Sequence, residues 1–511
     1  MKTKKRKSFL TAAVCALAFS MALSGCGSSQ SGEAASTASS SLAGTYTGES
    51  TNGIGGEANP VKVTVTLDDD GKITAIEATG EGETPTIGGV VLKDLPAAIV
   101  ESGSLAVDAV SGATVTSNAI LEAVSAALTS AGLNPDDYMT EVEKTTGADV
   151  TKDVDIVIVG AGGAGMSAAI AATEAGKSVL ILESTSMTGG NSARSTGGMN
   201  AAKTVYQDEN EFDQAAGVEK TLKAAAENWA DNETITALAA TVQEQWDAYQ
   251  ANPEGYFDSV ELFELDTMIG GGGINDPELV KTLAENSSAA IDWLDEQGAV
   301  LHNVSSFGGA SVKRIHRPVN DEGKTVSVGS YLIPILESKL TDAGVEIMKE
   351  TTAKKIIMDG GKAAGIEAEA ADGSTVTVNA KAVIIASGGF GANNDMVAEL
   401  NPALKGYITT NAPGILGQGI EMAEEVGAAT VDMEQIQLHP TVHVADDGSA
   451  NLITEGLRGD GAILVNKEGL RFYDEVSTRD KVSDAENQQT DGMAWLIVDQ
   501  KMYDASAVIQ G

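Results

Sequence analysis

At 511 residues the chain has the length for about two to four domains with ample core. Its formal charge of −40 argues against nucleic acid as a natural partner and disfavours close approach to an anionic membrane surface. Only two cysteines are present, and no His, Cys and carboxylate spacing marks a metal centre, which excludes a disulfide framework, a thiolate metal cluster and a C-x-x-C-H haem attachment.

Residues 1–25 have the layout of a secretory signal. Lys2, Lys4, Lys5, Arg6 and Lys7 precede an apolar run from Phe9 to Leu23 that is too short to span a bilayer comfortably. Leu23-Ser24-Gly25-Cys26 resembles the bacterial lipobox. That resemblance implies lipidation of Cys26 and a lipid-anchored protein on the cell membrane, facing outside the cytoplasm. Loss of those five basic residues takes the formal charge from −40 to −45, and Cys15 leaves with the signal. Residues 26–42 are low in complexity and serve as a flexible tether.

From residue 43 to 132 the pattern predicts a small α+β domain. Val61, Val63, Val65 and Leu67 alternate with polar residues, Asp68–Gly71 form a turn, and Lys72–Ala78 return as a strand. Then come Asp108-Ala109-Val110-Ser111-Gly112-Ala113-Thr114 and a helical stretch from about Asn118 to Ala131. The first of these resembles the D-x-x-S-G-A-T signature of FMN-binding domains in respiratory complexes. The resemblance implies FMN joined through its phosphate to Thr114 by a flavin transferase. On its chemistry alone, Thr114, Thr116 or Ser117 also suits capping of the following helix. Residues 133–152 read as a polar linker.

The stretch Val154–Glu183 predicts a dinucleotide site. A buried parallel strand (Val154–Val159) leads into Gly160-Ala161-Gly162-Gly163-Ala164-Gly165 and an Ala-rich helix. Gly160 permits the tight turn, Gly162 lets a pyrophosphate approach the backbone, and Gly165 lets helix and strand pack closely. The helix N-terminus offers unpaired N–H groups to the pyrophosphate. A second strand (Ser178–Leu182) ends at Glu183, where a carboxylate accepts from a ribose hydroxyl. Beyond it, Gly190, Asn191, Ser192, Gly197 and Gly198 let backbone pass close to a large planar ligand. An acidic helical insert (209–252), a glycine loop (Gly270–Gly273) and a helix around Leu279–Leu294 follow. Val383–Gly391 is another buried strand, whose Gly388 and Gly389 would meet the cofactor at the C-terminal ends of the strands.

Here a specific resemblance emerges. GAGGAG, GGNS…GGMNAA, RIHRP, ASGGFG, LHP, TEGLRGDGAILVN and STRD together resemble the flavoprotein of the soluble fumarate reductase family, related to succinate dehydrogenase flavoproteins. The resemblance implies an α/β fold: a Rossmann-like FAD-binding domain (153–430) with non-covalent FAD and an inserted α+β capping domain (431–511). At Gly417-Gln418-Gly419 many members carry an acid between the glycines; Gly419 remains a cofactor contact.

The same resemblance supplies roles. His439 and Thr454 match the donors to one substrate carboxylate, Arg479 the proton donor, and Glu455 and Arg458 the relay that reprotonates it. A guanidinium holds its proton to above about pH 12, so an arginine acid works only if Glu455 refills it at once. On chemistry alone, Arg479 and Glu455 equally suit a structural ion pair. His443 reads as a surface residue, His302 carries no motif, and His316 in RIHRP suits a structural or a flavin-side role. Family members continue past Gly511 and contribute a second clamping His and Arg, so the capping domain is expected to be incomplete and this fragment inactive by itself.

The expected function is reduction of the C=C bond of a small unsaturated carboxylate, fumarate first. A membrane donor would supply electrons, and FMN would pass them to FAD. Rival expectations are a reductase of another enoate (urocanate, acrylate or cinnamate type) and an electron-shuttling flavin lipoprotein without chemistry of its own. An NAD(P)H dehydrogenase would need a second dinucleotide fingerprint, which the sequence lacks.

Overall fold

The computed structural model describes residues 41–84, 87–110, 113–140, 146–306, 309–444 and 450–505. The signal, Cys26, the tether up to residue 40, Ser111 and Gly112 of the threonine motif, and the chain from residue 506 lie outside the described residues. Among the described residues no helix is long and apolar enough to cross a membrane.

The first body is a three-stranded antiparallel sheet, β1 (Gly44–Ser50), β2 (Val61–Leu67) and β3 (Ile73–Thr79), covered by helices α1 (Gly88–Ser102) and α2 (Thr114–Ser130). Period-two alternation sends Val61, Val63, Val65 and Leu67 inward against Ile120, Val124 and Leu128 of α2. The helix starts at Thr114, four residues before the predicted Asn118. Thr116 and Ser117 are buried, and Ser117 Oγ donates back to the Ala113 carbonyl at 2.9 Å, which ties down the first turn.

The second body is built on a six-stranded sheet. Its strands are β4 (Val150–Val159), β5 (Val179–Leu182), β9 (Glu346–Met348), β10 (Thr351–Asp359), β11 (Lys362–Ala370) and β12 (Thr375–Ile385), in the order β10-β11-β12-β4-β5-β9. Strands β12, β4, β5 and β9 are parallel, while β10 and β11 form an antiparallel meander on one edge. Between β4 and β5 runs helix α3 (Gly163–Glu174). Val157 and Val159 point to one face with Leu180, Ile366 and Met422; Ile158 and Ile181 point to the other, beneath Met166 and Ile170 of α3 and Ile333 and Leu336. Both faces of the sheet are covered, as parallel strands require.

Two predicted boundaries change. Strand β4 begins at Val150, inside the predicted linker, because β12 pairs with it from Val150↔Val376 onward. Exposed Thr151 and Asp153 alternate with the less exposed Val150 and Lys152, so polarity there marks an outward side and not a loop. At the other end, β12 stops at Ile385 and the glycines after it are irregular, with Gly388 in the left-handed region at φ 79°.

The acidic insert is two helices, Ala215–Asn228 and Glu233–Ala251, the second capped by the Asn232 side chain accepting from Ile235 N–H at 3.0 Å. It packs against Val260–Gly270, and Pro277–Glu296 follows. Three short strands, β6 (Met199–Asn200), β7 (Asn303–Ser305) and β8 (Ile315–Arg317), pair in the order β6-β8-β7 beside this layer. Arg314, just before β8, is 1% exposed and is gripped by Asp258 (3.1 and 2.8 Å) and Asp266 (2.8 Å).

Candidate functional site

The turn between β4 and α3 is forced by packing. Gly160 sits at φ 103°, and a Cβ there would come within 2.5 Å of the Ala386 carbonyl oxygen. At Gly165 a Cβ would meet the Gly160 oxygen at 1.9 Å, so the helix can lie against the turn only without one. Glu183, at the end of β5, fastens the turn: one carboxylate oxygen accepts from Ala161 N–H at 2.9 Å, the other from the Thr185 N–H and hydroxyl at 2.9 and 2.8 Å. Ser192 Oγ accepts from Gly163 N–H at 3.1 Å.

A cavity of about 460 Å³ opens over this turn. Gly160, Gly162, Gly163, Ala164, Glu183, Gly190, Asn191, Ser192, Gly388 and Gly419 all border it, as does Gln418. Five predicted cofactor contacts do not. Ala161 is fully buried beneath the turn, and Gly165 serves the helix–strand contact. Gly389 lends its carbonyl to Gly417 N–H at 3.0 Å. Gly197 and Gly198 border a neighbouring cavity of about 390 Å³. The fit to FAD rests on the turn itself: backbone without side chains, a helix N-terminus whose first-turn N–H groups lack intrahelical acceptors, and a carboxylate at the second strand's end.

The neighbouring cavity leads to the chemistry. It shares Gly163 and Ser192 with the glycine-turn cavity, and its wall includes Glu455 and Arg479. The same two residues, with Arg458, border a third cavity of about 300 Å³. Arg479 opens the helix Arg479–Asn487; its guanidinium donates to Glu455 and, at 2.7 Å, to Gln437 Oε1. His439 Nε2 donates to the other Glu455 oxygen at 3.0 Å. Burial alone would raise the Glu455 carboxyl, but the hydrogen bonds from His439 and Arg479 and the arginine's charge override it and hold it well below the usual carboxylate range.

The remaining predicted residues sit differently. Arg458 is buried; its Nη1 donates to the Glu475 carbonyl at 2.8 Å, and Glu455 acts on it through charge. Thr454 is buried, and its hydroxyl accepts from Gly456 N–H at 3.2 Å. His316 is fully buried, with Nε2 at 2.7 Å from Thr204 Oγ1 and Nδ1 at 2.9 Å from the Arg314 carbonyl; it pins β8 in place. Burial lowers its pKa. His443 and His302 are exposed.

Thr114 is the exposed first residue of α2. Its neighbours are committed: Thr116 Oγ1 donates to Glu83, and Ser117 Oγ accepts from Val110 N–H at 3.0 Å. Thr114 faces a cavity of about 720 Å³ with walls from both bodies. Ile87, Arg194 and Pro413 border this cavity and the glycine-turn cavity alike. Sequence reasoning missed these three, along with Gln437 and the Asp258–Arg314–Asp266 clamp. Gln437, two residues before His439, was the one within reach of a spacing argument.

Known proteins match both bodies of the chain. Residues 55–129 match the FMN-binding domain family, and residues 155–257 and 246–504 match the FAD binding domain family. The chain is 33% identical to a urocanate reductase of Eggerthella lenta, over 98% of this chain and 75% of that protein. It is 39% identical to a fumarate reductase (cytochrome) of Shewanella frigidimarina, over 68% of this chain and 52% of that one. It is 34% identical to an NADH:fumarate oxidoreductase of Klebsiella pneumoniae, over 87% and 42% respectively. It thus spans about half the length of these last two relatives. Among solved structures, the open conformation of a flavocytochrome c3 fumarate reductase superposes with a TM-score of 0.53 at 31% identity, covering 73% of this chain and 60% of that one. The α/β flavoprotein fold, the two flavin domains and these relatives together place the chain in the flavocytochrome-type fumarate reductase family, as a member that carries FAD- and FMN-binding domains.

Proposed function

We propose that the protein to which this chain belongs reduces the C=C bond of a small unsaturated carboxylate, fumarate in the first place. One observation carries the reading. Arg479 and Glu455, the latter held by His439, line a cavity that shares Gly163 and Ser192 with the glycine-turn cavity. The glycine turn would hold FAD, which would supply a hydride to one alkene carbon, and Thr114 would hold FMN, which would supply the electrons. Arg479 donates the proton to the other carbon and holds positive charge where negative charge develops. Glu455, ionised at rest and in contact with Arg479, takes a proton from Arg458, the next member of the relay, and passes it on to Arg479. His439 and Thr454 are assigned to one substrate carboxylate. For Thr454 this requires its hydroxyl hydrogen to point toward the substrate while the oxygen keeps the Gly456 N–H.

FMN is assigned to Thr114, whose exposed hydroxyl opens on the cavity between the two bodies, and a flavin transferase would install it. The lipobox-like Leu23–Cys26 supports a lipid anchor outside the cytoplasm and a membrane electron donor. A second reading keeps the chemistry and changes the enoate. It is favoured by the Eggerthella lenta relative, named a urocanate reductase, 75% of which this chain covers. Anaerobic turnover of the full-length protein with a reduced viologen dye, across fumarate, urocanate, acrylate and cinnamate, tests both. A preference for fumarate supports the first, a preference for another enoate supports the second, and a fully flavin-loaded protein that reduces none of them refutes the enzyme assignment.

A further inference from the structure

The relay described above ends on a buried arginine, and a proton consumed at each turnover has to come from solvent. Past Arg479 the helix Arg479–Asn487 carries Ser483 four residues on and Glu486 seven residues on, so the three share one face. Ser483 is 4% exposed. Ser483 Oγ, Glu486 Oε2 and Arg458 Nε are all buried without a hydrogen-bond partner among the described residues. Three such atoms near one another are unusual, because a buried polar group left unsatisfied costs about 1–3 kcal/mol. Arg458 and Glu486 act on each other electrostatically. Glu486 and Ser483 also border a cavity of about 260 Å³ whose rim includes exposed Tyr407, Asn487 and Gly492. That cavity opens toward water at this rim, and it shares Asn394, Tyr407 and Asn411 with the cavity that Thr114 borders.

We propose that Glu486 is the proton-uptake group of this site, taking a proton from solvent through that cavity and passing it by Arg458 to the Glu455–Arg479 pair. The inference rests on the enoate-reductase reading and deepens it. In the transfer, Glu486 gives one proton to Arg458 as Arg458 gives one to Glu455, Glu455 one to Arg479, and Arg479 one to the substrate carbon. No electrons move along this path, and Glu486 is left ionised until water in the cavity reprotonates it. The ionisable groups that face it are Arg458, with Glu475 and Glu455 behind, and His439 and Tyr407 across the cavity. Burial pushes the Glu486 carboxyl up to about 7, with Arg458 opposing the shift, so the group exchanges protons near neutral pH.

The test is Glu486→Gln and Glu486→Asp in the flavin-loaded full-length protein. Glutamine should lower kcat by about 10- to 100-fold and abolish the decline of kcat as pH rises through neutrality. Aspartate should keep that decline, and imidazole or formate buffer should restore turnover to the glutamine variant by entering the cavity. Infrared titration should show a carboxylic-acid stretch below neutral pH in the wild type that the glutamine variant lacks. Superimposable pH profiles for the wild type and Glu486→Gln overturn the proposal. So does an equal loss in both variants without buffer rescue, which marks a packing role. If the wild type reduces no enoate, the underlying reading fails; the infrared band still reports on Glu486 itself, and its absence sinks the uptake role independently.

Discussion

Replacing Glu455 by glutamine keeps the side chain's shape and removes the charge on which the cluster converges. Glu455 accepts from His439 Nε2 at 3.0 Å and from the Arg479 guanidinium, and its side chain is 9% exposed. A hydrogen bond to a charged group is worth roughly 1.5–3 kcal/mol net. The Arg479 side chain is 35% exposed, so water recovers part of that, and the expected loss of stability is about 1–2 kcal/mol. The folded carboxyl lies below its unfolded value. Its contribution is therefore complete above the unfolded value and fades as pH falls through the folded one, and the gap between wild type and variant should close on acidification below about pH 4. Activity should change far more. With reprotonation of Arg479 blocked, kcat for enoate reduction should fall by about 10²–10⁴-fold, while reduction of the bound flavins by dye continues at the wild-type rate. Stopped-flow absorbance separates the two half-reactions, and urea unfolding at several pH values gives the stability. A flavin-loaded variant turning over within about twofold of wild type would refute the relay.

Three further outcomes are expected. Arg314→Met strands the buried carboxylates of Asp258 and Asp266 and should cost about 3–5 kcal/mol in urea unfolding; a loss under about 1 kcal/mol would show that the clamp is not needed. Gly160→Ala pushes a Cβ to 2.5 Å from the Ala386 carbonyl oxygen at a left-handed φ, so protein purified from this variant should carry much less FAD per chain and melt earlier, and an unchanged flavin-to-protein ratio would contradict the packing argument. Thr114→Val, made alongside flavin transferase, should show the intact mass of the bare polypeptide where Thr114→Ser still gains FMN; a valine variant that gains FMN would move the attachment elsewhere.

What the sequence revealed was local. The β4–α3–β5 unit was legible because apolar runs, glycines and the acid at Glu183 fall within one short stretch, and each obeys a rule about its near neighbours. The start of β4 was not, since Thr151, Lys152 and Asp153 are polar and only a partner strand more than 220 residues away makes them a strand. The same holds for the clamp on Arg314, whose carboxylates lie 48 and 56 residues upstream with no periodicity to connect them. Within the site, Arg479, Glu455 and His439 were named from motifs and meet in space. The way Ile87, Arg194 and Pro413 border two cavities at once is a product of how the bodies dock, and no motif encodes it.

That docking carries a kinetic consequence. A carrier diffusing freely between two proteins must find its acceptor at whatever concentration the surroundings supply. With FMN on Thr114 and FAD over the glycine turn, both carriers would belong to one polypeptide, in cavities that share Ile87, Arg194 and Pro413, and encounter would be intramolecular, with an effective concentration on the order of millimolar. Cutting the chain between the bodies would turn a rate independent of protein dilution into one that falls in proportion to it.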